Sequence, residues 1–280
     1  MERLEKLMQE SPNTLLCHYT TLSGLIGIVD SKCIWASSMH YLNDSAELKH
    51  AFSLIQAWLE LHLKHERGPC NDLYGALLEA LPLFSEFQIF VCSFSALGDT
   101  LSQWRGYCPN GIGCSIGFSP DMIKRQSSKQ GFRLLRCVYD VDEQKAICEE
   151  VLTRACKIAN EEKREELRRS AVVDNFFPSF MQIAAAIKNA SFAEEQEWRL
   201  IGGPFAIEHP QIRFRAGKYA VIPYFEFELA AKSEILQFEQ VLVGPNPDPA
   251  MSKQSVEYLL KCRNVRCNRI DGYKGTYRGW

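Results

Sequence analysis

Strand-like and helix-like segments follow one another along this chain without the strict strand–helix–strand order of a parallel sheet, and that irregularity limits the fold more than any other feature. Phe225, Phe227 and Leu229 alternate with Glu226 and Glu228, the two-residue period of a half-buried strand. Leu22, Leu25, Ile26 and Val29 recur at helical spacing and form one apolar stripe. Short strands fall between roughly five or six helices. The sequence therefore predicts an α+β fold with a mainly antiparallel sheet and flanking helices. A single domain over residues 1–280, with a helical insertion at about 142–190, accounts for the pattern.

The expected strands include 15–19, 34–37, 89–95, 113–118, 133–139, 196–201, 212–215, 219–229, 235–243 and 265–270. Gly202-Gly203-Pro204 is expected to end the sixth of these. Pro223 marks an edge or a bulge. Asp44 with Glu47 has the form of a capping box opening a helix to about residue 65, or else Asn43 and Asp44 line a site. In that helix Leu48, Phe52, Ile55 and Leu59 face inward. Residues 142–169 and 172–190 read as two further helices, the first ending in a mixed-sign charge run that suits a solvated face.

The balance of 46% hydrophobic and 24% charged residues is that of a globular protein, and the net charge of −2 gives no global field for nucleic acid. No run of 18 apolar residues predicts a membrane span. The first residues, Met1 to Lys6, are charged and lack a signal core. The eleven cysteines have no Cys-x-x-Cys spacing, so they are expected as reduced, mostly buried thiols in a cytoplasmic protein. His62 and His65 stand three apart with no third ligand in view, and no metal is expected there. The nucleophile elbow, the P-loop, the zinc-protease motif and the dinucleotide fingerprint are all missing from the sequence.

The densest chemistry lies in Ala193 to Leu200. Read as a strand, this stretch places Glu195, Glu197 and Arg199 on one face. Such a cluster is a solvated ion pair or a site. His18 ends an early strand just before a helix start, where backbone amides meet anions. Leu101 to Tyr107 holds Trp104, Arg105, Gly106 and Tyr107, a composition suited to a ligand-facing loop or helix start. The alternative is Trp104 plugging the core while Arg105 pairs a carboxylate.

Several motifs taken together resemble a widespread bacterial family of unknown function: His18-Tyr19-Thr20, Tyr41-Leu42-Asn43-Asp44, Ser102 to Tyr107, Glu195-x-Glu197-Trp198-Arg199 and Val243-Gly244-Pro245-Asn246. The opening segment, the Ser93-x-Ser95 strand and the Glu-x-Glu strand also resemble three motifs of the ADP-ribosyltransferase superfamily, in the same chain order. The opening segment is especially similar to that of the superfamily's DNA-targeting toxins and of the RNA 2′-phosphotransferases. The resemblance implies a split antiparallel sheet and NAD as substrate, with a nucleic acid or protein as acceptor. It also implies a role in toxicity or anti-phage defence.

The implied catalytic residues are Glu197, stabilising charge at the ribose, and Glu195, accepting the proton of the incoming nucleophile. His18 would bind the adenosine ribose, with Tyr19, Thr20 and Ser93 beside it. Tyr41 or Tyr107 would stack on nicotinamide, and Arg105 and Arg199 would hold the pyrophosphate. The alternative from another class is a non-catalytic module that binds a nucleotide or single-stranded nucleic acid through Trp104, Tyr107 and Arg105.

Overall fold

The computed structural model describes residues 2–42, 46–64, 69–82, 87–108, 112–161, 178–273 and 275. The chain opens with helix α1 (Arg3–Gln9), strand β1 (Leu16–Thr20), α2 (Leu22–Ser31), β2 (Cys33–Ser38) and a 3₁₀ turn (Met39–Tyr41). Then come α3 (Ala46–Leu63), α4 (Pro69–Ala80), β3 (Gln88–Ser95), α5 (Leu101–Tyr107), β4 (Cys114–Phe118), α6 (Pro120–Lys129) and β5 (Phe132–Arg136). α7 (Val141–Glu161) is followed by α8 (178–184) and a second 3₁₀ turn (Ala190–Glu195). Next are β6 (Glu197–Phe205), β7 (Ile212–Ala216), β8 (Val221–Glu228), β9 (Gln237–Phe238) and β10 (Gln240–Val243). The described chain closes with α9 (Pro249–Cys262), β11 (Arg266–Cys267) and β12 (Ile270–Gly272).

The main sheet runs β12-β10-β4-β1-β3-β2-β8-β7, with β6 on β3 and β5 on β6. All its pairings are antiparallel except β10 with β12. The mixed fold with a mostly antiparallel sheet agrees with the sequence expectation. Strand β3 has three partners. β6 follows it from Gln88 to Ser95 and so takes one whole edge. β2 takes the other edge at Phe90 and Val91, and β1 takes it at Ser95. Between them, at Cys92 to Phe94, the sheet is split.

Alternation along β3 and β6 sends residues to two cores. Ile89, Val91 and Ile201 meet a helical layer built from α1, α3, α4, α7 and α8. Phe90, Phe94, Leu200 and Trp198 meet a second core with α2, α9 and the phenylalanines of β8. The expected helical insertion is thus one part of a layer drawn from separate chain segments.

Several local expectations are corrected. On α2 the buried residues are Leu25, Ile28 and Val29, whereas Leu22 and Ile26 are exposed, so the stripe is rotated. β6 does not end at Gly202. It runs on through Gly203 and Pro204, because both glycines permit close approach. A Cβ on Gly202 would sit 2.3 Å from the Phe132 ring, and Gly203, at φ 104°, would bring one 2.6 Å from the Gln88 carbonyl. Pro223 lies just past the last β2 partner of β8, where its missing donor costs nothing on that side. Cys70 of α4 and Cys156 of α7 form a disulfide, against the expectation of reduced thiols, while the other described cysteines are free. His62 stacks on Trp58 at 3.6 Å. Among the described residues no cluster of three or more ligating side chains fits a metal, and no helix is long and apolar enough to cross a membrane. Asn43, Asp44, His65 and the charge run past Glu161 lie outside the described residues, as does the side chain of Glu47.

The rotated stripe is testable. Leu25→Ala is expected to cost about 2–5 kcal/mol of unfolding free energy. Ile26→Ala, at 47% exposure, is expected to cost much less. Urea denaturation of the two variants reads this directly, and equal losses would place the stripe where the sequence first suggested.

Candidate functional site

The split in the sheet opens a cleft. One hollow, about 280 Å³, is lined from β1 by His18 and Tyr19 and from β2 by Trp35 and Ser37. β3 adds Cys92, Ser93 and Phe94, α5 adds Gln103 and Tyr107, and Tyr41, Glu195, Glu197 and Arg215 complete it. A second, about 430 Å³, lies against the start of α2 and is lined by Thr20, Thr21, Ser23 and Gly24. The two share His18, Trp35, Ser37 and Arg215.

His18 is fixed by the split itself. The Ser93 carbonyl, on the part of the β3 edge with no strand partner, accepts from His18 Nδ1 at 3.0 Å. That bond sets the tautomer with the proton on Nδ1 and leaves Nε2 as an acceptor. Burial lowers the imidazole pKa from its ordinary 6.5, and the carbonyl bond offsets only part of that. The ring is therefore neutral at physiological pH. Tyr19 borders the same hollow, but its hydroxyl is committed: it donates to the Leu97 carbonyl at 2.9 Å and accepts from the Thr100 amide at 3.0 Å.

The carboxylates reach the cleft by a different route from the one expected. Glu195 is not on the strand. It closes the 3₁₀ turn capped by Asn189, and Gln196, in the left-handed conformation at φ 43°, swings the chain into β6. The turn is tied to β3, since Ser95 Oγ donates to the Glu195 carbonyl at 2.7 Å. Glu197 then faces Ser95 across the ladder. Both carboxylates bind one ammonium: Lys188 Nζ is 2.6 Å from Glu195 Oε2 and 2.5 Å from Glu197 Oε2. On its other side Glu197 accepts from Arg199, Nε to Oε1 at 2.8 Å and Nη2 to Oε2 at 3.2 Å. Lys188, Glu197 and Arg199 are at most 4% exposed. Burial alone would raise the Glu197 carboxyl, but the two cations outweigh it and hold the pKa down to about 2. Burial would likewise lower the Lys188 ammonium, but the two carboxylates, Glu197 foremost, push it well above its usual value.

Lys188 is held in turn by Gln144 of α7, whose amide donates to the Val138 carbonyl at 2.7 Å and the Lys188 carbonyl at 2.8 Å. Sequence reasoning passed over Lys188. A lone lysine closing the apolar run Ala184-Ala185-Ala186-Ile187 was the signal, because a lysine buried there requires carboxylate partners.

The cleft brings together His18, Tyr19, Tyr41, Ser93, Tyr107, Glu195 and Glu197, with Thr20 in the adjoining hollow. Burial, then the two glutamates, pushes the Tyr107 hydroxyl up to about 12. The two arginines expected to hold a pyrophosphate line neither hollow. Arg199 is spent on Glu197 and on the Ala185 carbonyl (2.8 Å), and Arg105 lies exposed on α5. Trp104 fills the core: it is 0% exposed, with Nε1 donating to Asp99 at 2.8 Å and its ring edge-on to Tyr19. The arginine that does line both hollows is Arg215 of β7, which sequence reasoning missed. Its Nη2 lies 3.3 Å from Ser37 Oγ, and its Nε is buried with no hydrogen-bond partner among the described residues. The alternating Arg-Phe-Arg of an edge strand was the available sign.

Residues 103–200 carry a domain that matches a family described as a protein of unknown function (DUF2971). That span holds most of α5, the Lys188 turn and the start of β6, and so the carboxylate half of the cleft. No curated protein and no solved structure matches the chain.

The ion cluster makes a stability prediction. Lys188→Met removes the shared cation and is expected to cost about 3–5 kcal/mol near neutral pH. The loss should shrink as pH falls and the released carboxylates take up protons. In the intact protein the depressed Glu197 carboxyl contributes stability that is full above pH 4.5 and lost as pH falls towards about 2. Denaturant midpoints of both proteins across that range measure this, and identical acid profiles would sink it.

Proposed function

We propose that the protein is an NAD-dependent ADP-ribosyltransferase acting on a nucleic acid or protein acceptor. One observation carries the reading. The split between β1 and β2 gathers into one cleft a histidine of fixed tautomer, three tyrosines, Ser93 and two glutamates from five separate segments. The sequence resemblance to the superfamily names the same residues. The hollows suit a dinucleotide in size, since ligand pockets run roughly 300–1,000 Å³. Their donor set suits it as well. His18 Nε2 would accept from a ribose hydroxyl, while the unpartnered Arg215 Nε and the Ser37, Thr20, Thr21 and Ser23 hydroxyls supply donors for phosphate oxygens. Tyr41 and Tyr107, at 43% and 41% exposure, are the rings available to a nicotinamide.

In this reading Glu197 stabilises positive charge developing at the ribose carbon, and Lys188 and Arg199 hold its carboxylate in place. Glu195 is the more exposed of the two and accepts the proton of the nucleophile. One feature favours the alternative of a non-catalytic nucleotide-binding module: Glu197 is fully engaged by its two cations and leaves little carboxylate to act.

Two measurements separate these. His18→Ala is expected to raise the dissociation constant for NAD by about one to two orders of magnitude, as hydrogen bonds worth roughly 1.5–3 kcal/mol are lost. Arg215→Ala should weaken NAD binding too, whereas Arg105→Ala should not. Calorimetry tests all three, and a wild-type protein that binds no NAD ends both readings of the cleft as a dinucleotide site. For catalysis, Glu195→Gln should impair transfer more than hydrolysis. Glu197→Gln should cut turnover by about 10²–10³. It strips a buried anion from two cations, so its stability is measured alongside. NAD bound but never cleaved by the wild type favours the binding module.

A further inference from the structure

The face of β2, β8 and β7 that lines the cleft through Trp35, Ser37 and Arg215 continues past it along β7 and β8. Tyr224 of β8 stands opposite Ser37 on one side and Arg213 on the other. Directly opposed residues project to the same face, so Trp35 and Arg215, two positions along, share it. Trp35 is 49% exposed and lies over Tyr224, ring centroids 4.4 Å apart at 32°. The β7–β8 turn closes through Gly217 N–H to the Ala220 carbonyl at 2.8 Å. A Cβ on Gly217 would lie 2.5 Å from Ile222, so the turn stays tight and holds Lys218 and Tyr219 at its tip. Tyr219 is 88% exposed, with Lys218 Nζ 5.0 Å from its ring centroid.

Charge follows the same path. Residues 211–225 contain Arg213, Arg215 and Lys218 and no Asp or Glu, in a chain whose net charge is −2. Two carboxylates share the face, Glu226, 3.6 Å from Arg213 Nε, and Glu228 two positions along β8. Arg213 Nη1 donates to the Pro210 and Ile212 carbonyls, so Nη2 is the edge of the guanidinium offered to a phosphate. Arg213 and Glu226 are both partly exposed, so water screens the pair and a phosphate competes for the same guanidinium.

We propose that this face binds single-stranded nucleic acid, with bases on Trp35 and Tyr219 and phosphates on Arg213 and Lys218, and leads it to the cleft at Arg215. Flat rings interleaved with cations suit a strand whose bases are unstacked, and every base presents a face to them. A duplex hides those faces. An acidic peptide would satisfy the cations and leave the rings uncovered. The proposal rests on the transferase reading only in making the bound strand the acceptor.

The test uses fluorescence anisotropy on the full chain with labelled oligothymidylate, oligouridylate, a duplex and an acidic peptide. Both single strands are expected to bind, more tightly than the duplex or the peptide, and the tighter of the two identifies the sugar. Arg213→Ala/Lys218→Ala should lower the slope of log affinity against log salt by about 1.4, two phosphate contacts at roughly 0.7 each. Tyr219→Ala should weaken binding roughly 5- to 100-fold, whereas Tyr219→Phe keeps the ring and the affinity. The proposal is overturned if neither strand binds, if duplex or peptide binds as tightly, or if the variants match the wild type. NAD calorimetry on Arg213→Ala/Lys218→Ala runs beside it, with unchanged affinity expected. Strand binding without NAD binding overturns the transferase reading alone, and NAD binding without strand binding overturns this proposal alone.

Discussion

Everything in this molecule that resembles a site depends on the sharing of one edge of β3 by two strands. β6 holds the opposite edge along its full length, so β3 cannot shift, and β1 and β2 must part where they meet it. A strand edge without a partner strand is normally a liability, because its carbonyls and amides still need bonds. Here the gap is short, and the Ser93 carbonyl is answered by the imidazole of His18 rather than by another strand. The same parting that orients the histidine leaves room between β1 and β2 for a ligand.

Opposite that gap stands a cluster of two carboxylates and two cations. Its charges cancel, so the cleft wall is anionic in its oxygen atoms without being anionic overall. Excluding water from it leaves no unpaired charge behind, and a ligand can be enclosed there at small electrostatic cost. Three separate supports fix the cluster: Gln144 behind Lys188, Ser95 behind Glu195, and the β3 ladder behind Glu197. Precision at such a site comes from these outer partners as much as from the charged groups themselves.

The sequence made the strands and the antiparallel order legible because period-two apolar patterns are local, as in Phe225 to Leu229. Most of the residues that the sequence singled out come together along the cleft, whereas Arg105 and Arg199 do not line it. Where reading failed, the cause was long-range. Arg199 looked like an anion fork, but it spends its guanidinium on a residue two positions away once both are buried. Glu195 looked like a strand residue, because a left-handed Gln196 leaves no composition signal. The glycine pair in β6 reads as a breaker until Phe132 is known to press against it. The partners Lys188 and Arg215 come from segments that only the tertiary fold brings to the split.

Helix α5 has a two-sided construction with a consequence for how such a chain can diversify. Its inner side is anchored by Trp104, wedged between Asp99 and Tyr19, while its outer side gives Arg105 and Tyr107 to solvent and cleft. Anchor and display are separated within a single turn of backbone. Exchange of the outer residues leaves the anchor untouched, so ligand preference can drift there while the fold is maintained. Exchange at Trp104 would affect both at once. The wall of the cleft is in this sense a replaceable tile on a fixed mount, and variation among similar chains is expected to concentrate on the tile.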